Sequence, residues 1–218
     1  MPIDAVIFDM DGVLVDSEQY WWEARVEFAA ERGLQWTMAF QRLAMGRGTV
    51  EWAHVMQERL HLDMTLEAIM DDVIGRVSDK LAVRFPALPG ALEAVHTAAQ
   101  DYPVALASGS PTRVIQSVMA ITGLDRVFQT VVYGDDMARG KPAPDIYLET
   151  ARRLGVDPAH CLGIEDSGNG VRALHAASMK IIAVPSPGFA LSDEVLALVD
   201  LALPSLESFS LETIRSLA

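Results

Sequence analysis

Apolar residues follow two rhythms along the chain. Residues 3–8 form a short, β-branched run that stops at Asp9 and Asp11. They predict a buried strand ending in an acidic turn. From Ser17 the rhythm becomes helical, with Tyr20, Ala24 and Phe28 leading to about Gly33. Ser17 is the expected N-cap and Glu18 lies in the first turn. Further helices are predicted at 38–45, 49–60 and 65–83, and no convincing strand interrupts residues 17–84. Phe85-Pro86-Ala87-Leu88-Pro89-Gly90 ends this helical stretch. Beyond it the pattern alternates. Strands are predicted at 104–107, 131–133, 161–164 and 180–184, with an edge strand at 201–203. Helices are predicted at 111–122, 144–154, 168–177, near 192–198 and at about 206–216.

Strand–helix alternation implies βαβ units and a parallel sheet with right-handed crossovers. The expected fold class is α/β: a Rossmann-like sheet with helices on both faces, plus an inserted all-helical domain. The sheet domain takes residues 1–15 and 86–218, and the insert takes 16–85. The ends of parallel strands share one edge, where such sheets bind ligands. That edge collects Asp9 and Asp11, then Ser108-Gly109-Ser110, then Gly140-Lys141-Pro142 after a loop, then Glu165-Asp166-Ser167.

Four carboxylates around one point suit a hard divalent cation with oxygen ligands, such as Mg²⁺. Ser108, the amides after it and Lys141 offer donors of the kind that hold phosphoryl oxygens. Pro142 restricts the backbone of Lys141 to extended conformations, which aims its side chain. Asp9 and Asp11 are like charges two residues apart, tolerable only with a cation or raised pKa values. One could attack an electrophile while the other moves a proton.

Composition narrows the partners. The 218 residues are 50% hydrophobic and 22% charged, enough for a sizeable core. A formal charge of −13 disfavours nucleic acid and anionic membranes, which are bound through Lys and Arg. The single cysteine, Cys161, excludes an internal disulfide and is expected to be inert packing. A cytoplasmic protein, monomer or weak dimer, is expected. The five histidines show no metal-ligand spacing.

The four segments resemble the motifs of the haloacid dehalogenase-like phosphohydrolases, in particular their β-phosphoglucomutase-like branch with a helical cap. Asp9-Met10-Asp11-Gly12-Val13-Leu14-Val15-Asp16-Ser17 is similar to the first motif and Ser108 in Ala107-Ser108-Gly109-Ser110 to the second. Lys141 in Gly140-Lys141-Pro142-Ala143-Pro144-Asp145 is similar to the third, and Glu165-Asp166-Ser167 to the fourth. The resemblance implies Asp9 as nucleophile, forming an aspartyl-phosphate, and Asp11 as acid and base. It implies Mg²⁺ on the Asp9 carboxylate, the Asp11 backbone carbonyl and Asp166, with Glu165 direct or through water. Ser108, Gly109 and Lys141 would hold the phosphoryl group. The expected activity is hydrolysis of a small phosphorylated metabolite, with a sugar phosphate as the expected substrate.

Arg47, between two glycines at a turn of the insert, is the candidate for substrate selection. Trp21 or Trp22 is a further candidate, and Arg76 and Lys80 are weaker ones. Hinges are expected at 15–17 and 86–90. The first alternative is a sugar-phosphate mutase. Known mutases of the branch carry a histidine early on the first cap helix, whereas this chain reads Tyr20-Trp21-Trp22-Glu23. Haloacid dehalogenation needs neither a second aspartate nor a metal. A receiver-like signalling module would lack the long helical insert.

Overall fold

The structure is a computed structural model and describes residues 2–45, 47–186 and 190–218. Its centre is a six-stranded parallel sheet in the order β3-β2-β1-β4-β5-β6. The strands are β1 (Ala5–Phe8), β2 (Val104–Ser108), β3 (Thr130–Tyr133), β4 (Cys161–Glu165), β5 (Lys180–Ala183) and β6 (Leu201–Ala202). The chain builds outward from β1 to β3, then crosses back to β4 beside β1. Val6 pairs with Val104 on one side and with Leu162 on the other.

Every residue of β1 is buried, as expected for a strand covered on both faces. Its side chains alternate between two cores. Val6 and Phe8 join Leu106, Ile164 and Ile182 in one. Ala5 and Ile7 join Ala105, Ala107, Cys161 and Ala183 in the other. This second face is lined by small residues. Helix α7 (Asp145–Leu154) packs against β2 and β3 there, and its Tyr147 is among the largest fully buried side chains.

Between β1 and β2 lie four helices: α1 (Glu18–Ala30), α2 (Met38–Ala44), α3 (Thr49–Leu60) and α4 (Leu66–Val83). No strand occurs among the described residues of this insert. Trp21, Trp36 and Trp52 are buried inside it, with Trp21 and Trp52 ring centroids 5.8 Å apart. Chain entry and exit are tied together by Asp16 N–H to Pro86 O (2.9 Å) and Leu88 N–H to Leu14 O (3.1 Å). Helix α4 also packs on α6 (Thr112–Thr122) of the sheet domain.

Two sequence expectations need correction. Helix α5 (Ala91–Ala98) was not expected, although Ala91, Ala94, Val95 and Ala98 have helical spacing and are buried. Helix α8 (Gly168–Ala176) and the four-residue α9 (Asp193–Leu196) follow expectation. The expected terminal helix is broken. Leu206–Ser208 is a 3-10 turn, Phe209 is buried, and Ser210 is extended and caps α10 (Leu211–Arg215). The extended N-cap that lets the Ser210 hydroxyl accept from Thr213 N–H prevents one continuous helix.

Candidate active site

Strand β1 delivers Asp9 to the sheet edge, and Asp9 N–H continues the β1–β4 ladder onto Ile164 O at 3.0 Å. The chain then turns sharply. The Met10 carbonyl accepts from Leu14 and Val15, and Gly12 adopts φ +78°. A side chain at Gly12 would be strained at that φ and would also collide with the Asp166 carboxylate. The turn is therefore pressed against the end of β4.

Lys141 reaches in from the loop after β3. Its ammonium donates to Asp9 Oδ1 (2.7 Å) and Glu165 Oε1 (2.6 Å). The Lys141–Pro142 peptide is cis. One oxygen each of Asp9, Glu165 and Asp166 lies within 4.8 Å of the others, a spacing that could hold a metal ion. Asp11 faces the hydroxyl groups: Ser110 Oγ donates to its Oδ2 at 2.6 Å, Ser108 Oγ at 3.4 Å, and Ser17 Oγ donates to its Oδ1. The Ser17 side chain is thus used on Asp11, and the expected side-chain cap of α1 is not formed. Gly109 lies between the two serines, and Ser110 N–H donates to Ser108 Oγ at 3.1 Å.

The electrostatics of this cluster are unbalanced. Burial raises the Asp9 pKa well above the usual carboxylate range, and Lys141 only partly opposes it. Burial also raises Asp11, against the pull of its hydroxyl donors. Asp166 is raised to about 7 by burial and by the neighbouring Glu165 charge. Glu165 moves the other way: burial opposes its charge, but Lys141 and its other donors keep it below the usual range. Burial also disfavours the Lys141 charge, yet the Asp9 and Glu165 carboxylates hold the ammonium well above its ordinary range. Four carboxylates therefore share one ammonium. That is the deficit a divalent cation corrects, and the all-oxygen donor set fits a hard ion.

The other sequence candidates belong to the helical insert. Arg47 is exposed between α2 and α3, with its main-chain N–H toward Ala44 O (3.4 Å). Its neighbour Gly46 lies outside the described residues. Arg76 and Lys80 pair with Glu31, Asp72, Glu23 and Glu27 between α1 and α4. Trp21 and Trp52 enclose the buried Arg25 guanidinium, 5.3 Å from each ring centroid. Trp22 is partly buried against the same core.

Three contacts escaped the sequence reading. Ser186 Oγ donates to Asp166 Oδ2 (2.6 Å) and lies just past the end of β5, where the strand-end rule applies equally. Tyr147 Oη donates to Glu165 Oε1 at 2.7 Å. The Asp135 carboxylate accepts from Thr112 N–H (2.8 Å) and from Thr49 Oγ1 of the insert (3.2 Å).

A family model for haloacid dehalogenase-like hydrolase matches residues 3–178. Hexitol phosphatase B of Escherichia coli K12 is 33% identical over 217 residues, covering 93% of this chain and 92% of that one. The bifunctional riboflavin kinase/FMN phosphatase of Arabidopsis thaliana is 35% identical over 183 residues, covering 83% of this chain and 48% of the relative. This chain therefore spans about half of that relative. The crystal structure of a β-phosphoglucomutase homologue from Thermotoga maritima superimposes with a TM-score of 0.79 at 29% identity, covering 99% and 100% of the two chains. With the motifs assembled at one sheet edge and matched along most of its length, the chain belongs to the haloacid dehalogenase-like hydrolases, in their β-phosphoglucomutase-like branch.

Proposed function

We propose that the protein is a Mg²⁺-dependent phosphatase of small phosphorylated metabolites, sugar or sugar-alcohol phosphates in particular. The observation that carries this reading is the Asp9–Lys141–Glu165–Asp166 cluster, with Asp11 held by hydroxyl groups at the same edge. The near full-length likeness to hexitol phosphatase B supports the substrate class.

Asp9 Oδ2 attacks phosphorus in line with the ester oxygen, and an aspartyl-phosphate forms as that bond breaks. Asp11, whose raised pKa lets it carry a proton, protonates the leaving alcohol and then takes a proton from the attacking water. Lys141 faces the phosphoryl oxygens while keeping Asp9 in place, and Ser108 and the Gly109 amide supply further donors. Asp9, Asp166 and the Asp11 carbonyl would hold the cation, with Glu165 beside them. When bound, Mg²⁺ neutralises charge on the transferring group. Residues 16–85 form a cap that excludes water and selects substrate, and Arg47 reads the substrate's distal part.

The test is turnover of p-nitrophenyl phosphate and of a panel of phosphorylated metabolites with Mg²⁺, including both anomers of glucose 1-phosphate. Multiple turnovers that release inorganic phosphate support the reading. Conversion of one sugar phosphate to its isomer without phosphate release would replace it with a mutase. Asp9→Asn is expected to lower turnover at least a thousandfold while leaving the circular dichroism spectrum unchanged. Turnover near that of the unaltered protein would remove Asp9 as nucleophile.

A further inference from the structure

The site has a floor, and one residue of it is chemically committed. Tyr147 is fully buried. Its hydroxyl donates to Glu165 Oε1 at 2.7 Å, the oxygen that also accepts from Lys141 at 2.6 Å. Its ring lies beneath Lys141, with the ammonium 4.9 Å from the centroid. The tyrosine therefore touches both partners of one ion pair, Glu165 through its hydroxyl and Lys141 through its π face.

Glu165 is enclosed on every side. Its second oxygen accepts from Asp166 N–H, Ser167 N–H and Ser167 Oγ, each at 3.0 Å. At Gly170, on the first turn of α8, a β-carbon would collide with its carboxylate. With Oε2 fixed by the backbone, the direction of Oε1 decides where Lys141 stands. Lys141 must divide itself between Glu165 and Asp9. Without a second donor on Oε1, the carboxylate would offer Lys141 its full charge and draw the ammonium away from Asp9.

We propose that Tyr147 is a positioning residue: by occupying Glu165 Oε1 it leaves Lys141 shared with Asp9, where the transferring phosphoryl group needs it. This deepens the phosphatase reading and rests on it for its kinetic consequence. Tyr147 acts through Glu165 and Lys141. Its position follows from the fold, because the alanines on that face of β1 and β2 let α7 approach closely enough to bury a tyrosine under the lysine.

The test is Tyr147→Phe, which keeps the ring and removes the hydroxyl. A hydrogen bond to a charged group of this kind corresponds to roughly a tenfold effect. Expected is a roughly tenfold lower kcat with KM for p-nitrophenyl phosphate changed less than twofold. The same substitution in a Glu165→Gln background should add less than twofold. Lysine side-chain ¹⁵N NMR gives a readout independent of turnover: the Lys141 ammonium signal, assigned by its loss in Lys141→Met, should shift in Tyr147→Phe.

An unchanged kcat, or equal losses in both backgrounds, would overturn the proposal. So would an unmoved Lys141 signal. If the unaltered protein turns over no phosphate ester but the Lys141 signal still shifts in Tyr147→Phe, the phosphatase reading falls and the positioning contact stands. If Tyr147→Phe fails to fold, Tyr147→Trp, which keeps a ring and carries an N–H donor, takes its place. Retention of full kcat in a folded Tyr147→Trp whose Lys141 signal has moved away would overturn the proposal equally.

Discussion

Two single atoms decide how the acidic edge is held. Ser186 Oγ is a donor to Asp166, and it also reaches Gly12 O at 3.2 Å. Removing it leaves Asp166 free to rotate and harder to ionise. Ser186→Ala should raise the Mg²⁺ concentration for half-maximal activity about tenfold, the usual effect of losing an outer partner of a metal ligand. A magnesium titration of activity measures it. Gly170 is the second case. A methyl group there would push the Glu165 carboxylate out of its cage of donors, so Gly170→Ala should cost about 1–3 kcal/mol in a urea melt and lower kcat as well. Unchanged stability would mean that α8 shifts to accommodate it. These contacts mark the limit of what was legible in the sequence. Asp9, Asp11, Glu165 and Asp166 could be brought together from strand ends, because a parallel sheet has one such edge, and Lys141 from the loop that follows β3. Tyr147 could not. It lies inside a helix, six residues after Lys141, and only three-dimensional packing of α7 on small residues brings it beneath the ammonium.

At the level of elements, the hydrophobic rhythm located β1 and α1–α4 to within a few residues. Each begins or ends at a chemical signal: the acidic turn, a threonine cap at Thr37 or Thr65, the glycine before α3. The same rhythm runs through α5, but alanine marks a face less clearly than leucine. Contacts between the insert and the sheet domain were invisible, because a lone Asp135 and two threonines carry no pattern. Asp135 ties the first N–H of α6 to the first residue of α3. It therefore serves as an anchor for a helix end and as a tie between the cap and the sheet. Asp135→Ala should lower stability by about 1 kcal/mol through the lost helix-end partner. It should also raise KM for the preferred substrate several-fold more than for p-nitrophenyl phosphate, which depends less on a closed cap. Parallel kinetics with the two esters separate these effects, and equal changes would deny Asp135 a part in closure.

For the whole molecule, the proposed metal site predicts that stability depends on metal and pH together. Asp166 has a folded pKa raised to about 7, above its unfolded value near 4. Between those values the folded protein holds the extra proton, so this group stabilises the metal-free protein at low pH and loses that effect as pH rises toward 7. On the proposed function, Mg²⁺ would require the deprotonated form and would be bound more weakly as pH falls below 7. At a Mg²⁺ concentration about 100 times its Kd, near pH 8, binding should add about 2.7 kcal/mol. That corresponds to about 5–10 °C in Tm for a chain of this length, and the shift should shrink markedly at pH 5.5. Differential scanning fluorimetry with and without Mg²⁺ at both pH values measures it. An equal shift at both would contradict the assignment of Asp166 as a ligand. Among the described residues no helix is long and apolar enough to cross a membrane.

The hydrogen bonds that tie Leu14 and Asp16 to Leu88 and Pro86 have a consequence for how such an enzyme can change. The roughly seventy residues between them leave and rejoin the sheet at the same point. A different loop or bundle could be spliced there without altering the length or register of any strand. Asp9 and Lys141 are built outside the splice. On the proposed function, the choice of ester and the chemistry performed on it would then be carried by separable pieces of chain, and a lineage could exchange the first while the second stays unchanged.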